Sequence, residues 1–296
     1  NDGIDLDRPI RFEVAVTMKD GTFHCDFTGS SPQVRGPFNC VPSGSLAAAC
    51  YAVRAVTDPS IPTNAGCFRP ITLELPKGSI VNPVEPAPVN ARTATIKRIT
   101  GCILGALKEV LPERVPADSS GELVVLAFGG KHAGGAPFVT GELIAGGSGA
   151  GVHSDGVDVI ETDVTNCMNL PVEAMEMESP IRVHHVALRQ DSGGPGRRRG
   201  GLGVVKEYEV LDGEISFTYR GERHFYAPKG AKGGGDGAKA RAVIRRADGT
   251  EEVVASKVMA RLRRGDRVVV ETAGGGGNGL PTARDADSLA LDLADG

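Results

Sequence analysis

Tryptophan is absent from this 296-residue chain, and all aromatic residues together make up only 4% of it. No run of about 20 apolar residues occurs, so the sequence offers no membrane-spanning helix. The 33 basic and 37 acidic residues give a formal net charge of −4, which leaves no excess of one sign to attract nucleic acid or an anionic membrane. Glycine, in contrast, is abundant at 41 residues, which implies many tight turns and close backbone approaches.

Cysteine is sparse and scattered, without any C-x-x-C pair: Cys25, Cys40, Cys50, Cys67, Cys102 and Cys167. A chain of this length buries a full core without covalent staples, so we expect six reduced thiols in a cytoplasmic protein. The first residues, Asn1 to Asp5, form neither a signal peptide nor an initiator Met. We therefore expect the sequence to begin at a cleavage point or a fragment boundary.

The periodicity of the first two-thirds predicts a mixture of helices and strands. Alternating apolar residues from Phe12 to Phe27, around an Asp20-Gly21 turn, predict a β-hairpin. An alanine-rich stretch predicts a buried helix over 45–57, and apolar residues at steps of three and four predict a second helix over 96–110. Short strands are predicted at 71–75, 122–128, 138–145 and 181–188.

Beyond residue 191 the helical period disappears. Hairpin signals at Asp212-Gly213 and Asp248-Gly249 separate strands predicted at 203–211, 214–219, 242–246, 251–255 and 267–271. The expected fold class is α+β. Its predicted parts are a mixed α/β portion over 1–190, a β-rich, glycine-rich portion over 191–281 and an acidic tail over 282–296.

The common nucleotide and hydrolase signatures are missing. Gly274-x-Gly276-x-x-Gly279 has the spelling of a dinucleotide fingerprint, but Leu280-Pro281 follows it where a helix should begin, so we interpret it as a glycine loop. No G-x-x-x-x-G-K-[ST] motif and no G-x-S-x-G elbow occur. Any ATP chemistry must therefore come from another chain or from another type of site.

The histidines give no metal signature, because none falls in an H-x-x-x-H or H-E-x-x-H arrangement. No metal ligand is assigned. His153 and Asp155 would share one face of an extended segment and could bind a hard or borderline metal ion, although a loop histidine beside a turn aspartate is the simpler interpretation. Residues 193–201 place three arginines among glycines, which suits either a phosphate cradle or a solvated surface turn.

The densest group of polar residues lies between a glycine loop and a predicted strand. It contains Thr165, Asn166, Asn169 and Glu173. Such residues commonly cap a turn and do nothing more. Two amides, a hydroxyl and a carboxylate beside a flexible loop also suit recognition of an amide or carboxylate substrate.

Several long motifs occur in the order in which one enzyme family carries them. The first is the D-F-T-G-S-x-P-Q-V-x-G-P-x-N pattern at 26–39. The others lie at 61–70, 165–173, 188–196, 199–203 and 274–279. On these residues the chain resembles the hydantoinase B/oxoprolinase family.

The resemblance implies ATP-dependent enzymes built from an A-type subunit, which binds the nucleotide, and a B-type subunit, which is similar to this chain. Family members open cyclic amides such as hydantoins and 5-oxoproline, and a related branch carboxylates acetone or acetophenone. B-type subunits also have an amino-terminal half whose His/Asp motifs resemble a divalent metal site. Those motifs are absent from this sequence, which implies a split subunit or a fragment.

The resemblance leads to one main hypothesis. The chain is a subunit of an ATP-dependent hydrolase that opens the C–N bond of a hydantoin or lactam, with ATP and Mg²⁺ on an A-type partner and a divalent metal in a separate amino-terminal B-type half. Glu173, Asn166 and Asn169 are the expected catalytic residues, and Thr165, His153 and Asp155 the expected substrate-binding residues. A ketone carboxylase subunit and a non-catalytic scaffold are the alternatives.

Overall fold

The computed structural model describes residues 1–6 and 8–295. The chain divides into two compact units, of which the first contains residues 1–115 and 163–165, and the second contains residues 116–162 and those from 166 onward. The boundary that the sequence predicts near residue 190 lies inside the second unit.

The first unit combines a small sheet with helices around one core. Strands β1 (Ala15–Lys19) and β2 (Thr22–Asp26) form the predicted hairpin, with Asp20 and Gly21 in the turn at positive φ. Strand β3 (Ile71–Glu74) pairs parallel to β2, and the shared core lies under the helices. These helices are α1 (Pro42–Val56), the single turn α2 (Ala65–Phe68) and α3 (Arg92–Leu107).

Asn39, the last residue of the signature at residues 26–39, has a buried side chain. Its Nδ2 donates to the carbonyl oxygens of Val34 at 2.9 Å and Pro88 at 3.0 Å, and its Oδ1 accepts from Val34 N at 2.8 Å. An amide satisfies donors and acceptors at once, which keeps the buried backbone of this loop paired. In the first unit this motif therefore has a structural use.

The second unit contains two sheets. One has the strand order β10-β9-β12-β7-β6 and the other the order β11-β8-β4-β5. Their strands are β4 (Val124–Lys131), β5 (Pro137–Ile144), β6 (Ile181–Leu188), β7 (Val204–Val210), β8 (Glu214–Arg220), β9 (Arg241–Arg245), β10 (Glu251–Val253), β11 (Lys257–Arg263) and β12 (Arg267–Glu271).

A single core joins these two sheets, because inward residues from both contribute to it. Phe128 of β4 contacts Tyr208 of β7 in the other sheet, with ring centroids 5.5 Å apart, and also stacks on Phe217 of β8 at 5.3 Å. The alternation of buried and less buried residues along β7 and β8 is the pattern of strands with one face in a core.

Four glycine-rich segments of the second unit form what we call the glycine bundle: residues 146–156, 192–203, 228–238 and 273–279. Hydrogen bonds join the backbones of different segments, including Gly194 N to Gly275 O and Gly201 N to Ser148 O, both at 2.8 Å. A Cβ on Gly275 would overlap the carbonyl group of Ser148. Glycine is required at such positions because the backbones approach more closely than a side chain permits.

The predicted α+β class is confirmed, and most predicted elements are present with shifted ends. Three elements were missed: β11, whose apolar residues are interrupted by basic ones, the single turn α2, and the seven-residue helix α4 (Val172–Glu178). The predicted glycine loop at 274–279 is the last segment of the glycine bundle, and a short 3-10 helix, Pro281–Ala283, follows it. The acidic tail contains helix α5 (Ala286–Asp295).

Candidate functional site

The polar segment Asn166–Glu173 lies at the surface of the second unit. Asn166, Asn169 and Glu173 are exposed, and Met168 between them is 90% exposed. Two apolar residues, Leu170 and Met175, pack against the core of the unit and hold the end of the segment in place. The result is an anchored loop whose polar side chains face solvent.

Helix α4 begins at Val172, inside this segment, with Pro171 as its N-cap residue, and no side-chain hydrogen bond caps its first turn. Glu173 lies in that first turn, where the helix dipole favours a carboxylate. Glu176 accepts a hydrogen bond from Val183 N at 2.9 Å and so ties α4 to strand β6. Neither Asn166 nor Asn169 therefore supplies a side-chain cap to α4.

A buried polar cluster lies beneath the loop, and no sequence motif had indicated it. Lys206 Nζ donates to Glu142 Oε1, and Tyr208 Oη donates to Glu142 Oε2 at 2.6 Å. The side chains of Lys206 and Glu142 are 4% and 3% exposed. Burial and the adjacent Glu142 carboxylate raise the pKa of Tyr208 well above its usual range, so its hydroxyl keeps the proton it donates.

This cluster contacts the surface loop where Lys206 Nζ lies 3.4 Å from Asn169 Oδ1. A weak sequence signal for it exists: Lys206 occupies the same face of β7 as Val204, Tyr208 and Val210, all of which are buried. A lysine at an inward position needs a buried partner. The identity of that partner, 64 residues earlier on β5, is not encoded locally.

The other predicted site residues lie outside the segment Asn166–Glu173. Thr165 is half-buried and groups with the first unit, whereas His153 is an exposed loop residue. Asp155 accepts hydrogen bonds from Arg199 N at 2.8 Å and from Arg284 Nη2 at 2.9 Å. Burial alone would raise the pKa of Asp155, but these hydrogen bonds outweigh it and lower the pKa. Asp155 therefore links the 152–158 loop to the segment that leads into α5.

The arginine-rich stretch at residues 193–201 takes part in the glycine bundle. Backbone N–H groups of Gly194, Arg197, Arg198, Gly200 and Gly201 donate to backbone carbonyl oxygens, at distances of 2.8–3.2 Å. The Arg199 guanidinium pairs with two carboxylates of its own unit, Asp158 and Asp292. Because these backbone donors are already engaged, they favour a structural turn over a phosphate cradle.

A second buried group without a sequence signal is Glu122, which is 2% exposed. Its carboxylate accepts from Glu222 N at 2.8 Å and Ala273 N at 3.2 Å. Burial raises the pKa of Glu122 to about 7 although these hydrogen bonds oppose the rise. Nearby, His224 Nε2 lies 2.9 Å from Tyr219 Oη, and burial with the charge of Lys257 lowers the pKa of His224 to about 4.

The described residues provide two further observations. No three His, Cys, Asp or Glu side chains among them gather closely enough to hold a metal ion. None of the helices described is both long enough and apolar enough to cross a membrane.

The fold is an α+β fold whose second unit has two sheets, a glycine bundle and an exposed amide-rich loop. The family model for hydantoinase B/oxoprolinase matches residues 1–281. The chain therefore belongs to the hydantoinase B/oxoprolinase family.

Individual relatives agree with this membership. The chain is 33% identical, over 99% of its own length, to a protein from Pseudomonas sp. strain NS671 described as the putative B-type subunit of a D-/L-hydantoinase, of which it covers 51%. The ATP-dependent caprolactamase from Pseudomonas jessenii superposes with a TM-score of 0.82 at 24% identity, covering 96% of this chain and 51% of that one. A nucleotide-free acetone carboxylase superposes with a TM-score of 0.81 at 18% identity, covering 97% and 43%.

The two structural similarities are below 25% identity and establish the fold alone. The chain spans about half the length of the first curated relatives it matches, at 50% and 51% of their residues. The activity of a whole family member is therefore only proposed for this chain.

Proposed function

We propose that this chain is part of the B-type subunit of an ATP-dependent hydrolase that opens the C–N bond of a cyclic amide, a hydantoin or a lactam. Its contribution is substrate orientation by the loop Asn166–Glu173. Asn166 and Asn169 would donate hydrogen bonds to a ring carbonyl oxygen, and Glu173 would accept a proton or a hydrogen bond from a ring N–H or from water. Thr165, His153 and Asp155 would contact the substrate, with Asp155 held in place by Arg199 N and Arg284 Nη2.

One observation carries this proposal. The amides of Asn166 and Asn169 are exposed on a loop anchored by Leu170 and Met175, and they are not used as the helix cap. Exposed amides on an anchored loop suit stabilisation of the negative charge that develops on a carbonyl oxygen, because preorganised donors need not reorient during the reaction.

ATP and Mg²⁺ are assigned to a partner subunit of the A type, because the residues of this chain do not fit the nucleotide. The chain has no P-loop motif, and most backbone N–H groups of its arginine-rich glycine stretch donate within the glycine bundle. A separate amino-terminal B-type half, with its divalent metal, is the second proposed partner. The six free thiols support a cytoplasmic location.

A ketone carboxylase subunit is the second candidate, because the acetone carboxylase and caprolactamase folds are about equally similar to this chain, at TM-scores of 0.81 and 0.82. The cyclic-amide proposal is preferred because the 33% identical relative is described as a hydantoinase subunit. Assay of the assembled complex with hydantoin, 5-oxoproline and caprolactam, and separately with acetone and bicarbonate, distinguishes the two reactions.

The role of the loop is tested in the same complex with the variants Asn166→Ala, Asn169→Ala and Glu173→Gln. If the amides hold a developing oxyanion, kcat/KM should fall by about 100-fold or more for an Asn variant, with assembly and melting temperature nearly unchanged. Glu173→Gln keeps size and polarity, so a loss there indicates a charge or proton-transfer role. Wild-type turnover by all three assembled variants would refute the catalytic role and favour the scaffold alternative.

A further inference from the structure

The buried pair Lys206 and Glu142 needs an explanation beyond folding. Burying an ion pair between two sheets is costly, and apolar residues of similar volume often stabilise a core equally well. Tyr208 accompanies the pair, and its hydroxyl donates a hydrogen bond to the second carboxylate oxygen of Glu142 at 2.6 Å. The cluster thus fixes the ammonium group of Lys206 at a defined point beneath the loop Asn166–Glu173.

The chemistry of lysine determines which end of the Asn169 amide faces inward. An ammonium group only donates hydrogen bonds, so the atom 3.4 Å from Lys206 Nζ must be the carbonyl oxygen of Asn169 and not its nitrogen. The Nδ2 group therefore points away from Lys206. Because Asn169 is exposed, its two N–H bonds are presented towards solvent.

We propose that Lys206, fixed by Glu142 and Tyr208, is a positioning residue that holds the Asn169 amide as a hydrogen-bond donor towards the ligand. The group recognised must then be an acceptor oxygen, such as an amide carbonyl or the oxyanion formed from it. This inference rests on the proposed function of the loop and adds the group that orients it. The nearby positive charge also polarises the amide and strengthens the N–H donor.

Lys206 does not contact the ligand itself, because its side chain is only 4% exposed and its ammonium group is paired with Glu142. Glu142 supplies the opposite charge that a buried ammonium group requires. The three buried side chains therefore influence the ligand only through Asn169.

The variants must separate positioning from folding. Lys206→Met alone leaves the Glu142 carboxylate buried without its cation and is expected to destabilise the chain strongly. The double variant Lys206→Met/Glu142→Gln removes both charges, and the carbonyl oxygen of the new glutamine side chain still accepts from Tyr208. This variant should keep a melting temperature close to the wild-type value.

The first test measures coupling in the assembled complex with the cyclic amide that it turns over. We expect the double variant to lower kcat/KM by about 10-fold or more through the misplaced amide. In an Asn169→Ala background the same two changes should have no further effect, because the residue through which they act is gone. A full loss from Asn169→Ala together with wild-type kcat/KM in a folded double variant would overturn the inference.

The second test is independent of turnover. In the ¹⁵N-labelled chain, the side-chain NH₂ signals of Asn169, identified by their loss in Asn169→Ala, should shift when Lys206 and Glu142 are both replaced. Unchanged signals in the folded double variant would overturn the positioning role even if the complex is inactive. If Asn169→Ala retains wild-type turnover while the signals shift, the orientation holds, and the catalytic proposal for the loop is the part that fails.

Discussion

Replacing Glu122 by Gln should change how the stability of the chain depends on pH. In the folded state the pKa of Glu122 is about 7, compared with an ordinary value of 4.5. Because the folded pKa is the higher one, the stabilising effect of the protonated carboxyl is fully present below pH 4.5 and is lost as the pH rises through 7. At about 1.4 kcal/mol for each pH unit, the loss amounts to about 3 kcal/mol.

His224 works in the opposite direction over nearly the same interval. Its folded pKa is about 4, against 6.5 ordinarily, so folding favours the neutral ring and stability rises as the pH increases from 4 to 6.5. The charged groups around this pair are Glu222, Arg223 and Lys257. In the wild-type chain the two effects largely cancel between pH 4.5 and 6.5, so the pH dependence of either group becomes visible only after the other is replaced.

The measurement is urea unfolding followed by circular dichroism, since the chain has no tryptophan to report by fluorescence. The free energy of unfolding of the wild type minus that of Glu122→Gln should fall by about 3 kcal/mol between pH 4.5 and 7. A constant offset is expected as well, because the new amide nitrogen cannot accept from the backbone N–H that it faces.

Glu252→Gln is the matched control. Its hydrogen bond with Arg246 lowers the pKa of Glu252, so its titration lies below this interval and its difference curve should be flat from pH 4.5 to 7. Parallel pH profiles for the wild type and Glu122→Gln over that interval would show that Glu122 is not held protonated, and the argument from its burial would be wrong.

Three further outcomes are expected. In thermal melts Gly275→Ala should destabilise the chain by about 3 kcal/mol or more, because the added Cβ would overlap the carbonyl group of Ser148. Gly101→Ala on α3, where the added Cβ lies in open space, should stabilise the chain by about 0.5–1 kcal/mol. Arg284→Ala should allow limited proteolysis to remove α5 rapidly, because the Arg284 guanidinium pairs with Asp155 and with Asp292 of α5. The exposed control Arg263→Ala should not have this effect. The purified chain alone should show no ATP turnover, and robust hydrolysis would contradict the assignment of nucleotide binding to a partner.

Local sequence patterns predicted the elements whose structure is determined by residues close together in the sequence. The Asp20-Gly21 hairpin and helix α3 follow from turn chemistry and from the helical period, both of which are set within a few residues. Strand β11 and helix α4 were missed because basic residues obscure the alternation of the first, and the second is too short to show a period. The density of polar residues and the resemblance to a family both indicated the loop Asn166–Glu173, but neither indicated its surroundings.

The buried groups could not be predicted for a different reason. Lys206 meets Glu142 only because β7 and β5 face each other across a core, and Glu122 meets Ala273 from more than half the chain away. In the sequence each of these residues is an ordinary charge on a strand, which is most often exposed. Their pairing depends on strand order, which local propensities do not encode.

The glycine bundle has a consequence for the order of events during folding. Its four segments are separated by long stretches of chain, and they meet backbone to backbone, so no side-chain pattern guides their alignment. Closing such distant contacts costs chain entropy before any contact is gained, and glycine loses more of that entropy than other residues. We expect the sheets to set the register first and the bundle to close late, so alanine substitutions in the bundle would speed unfolding and leave the folding rate unchanged.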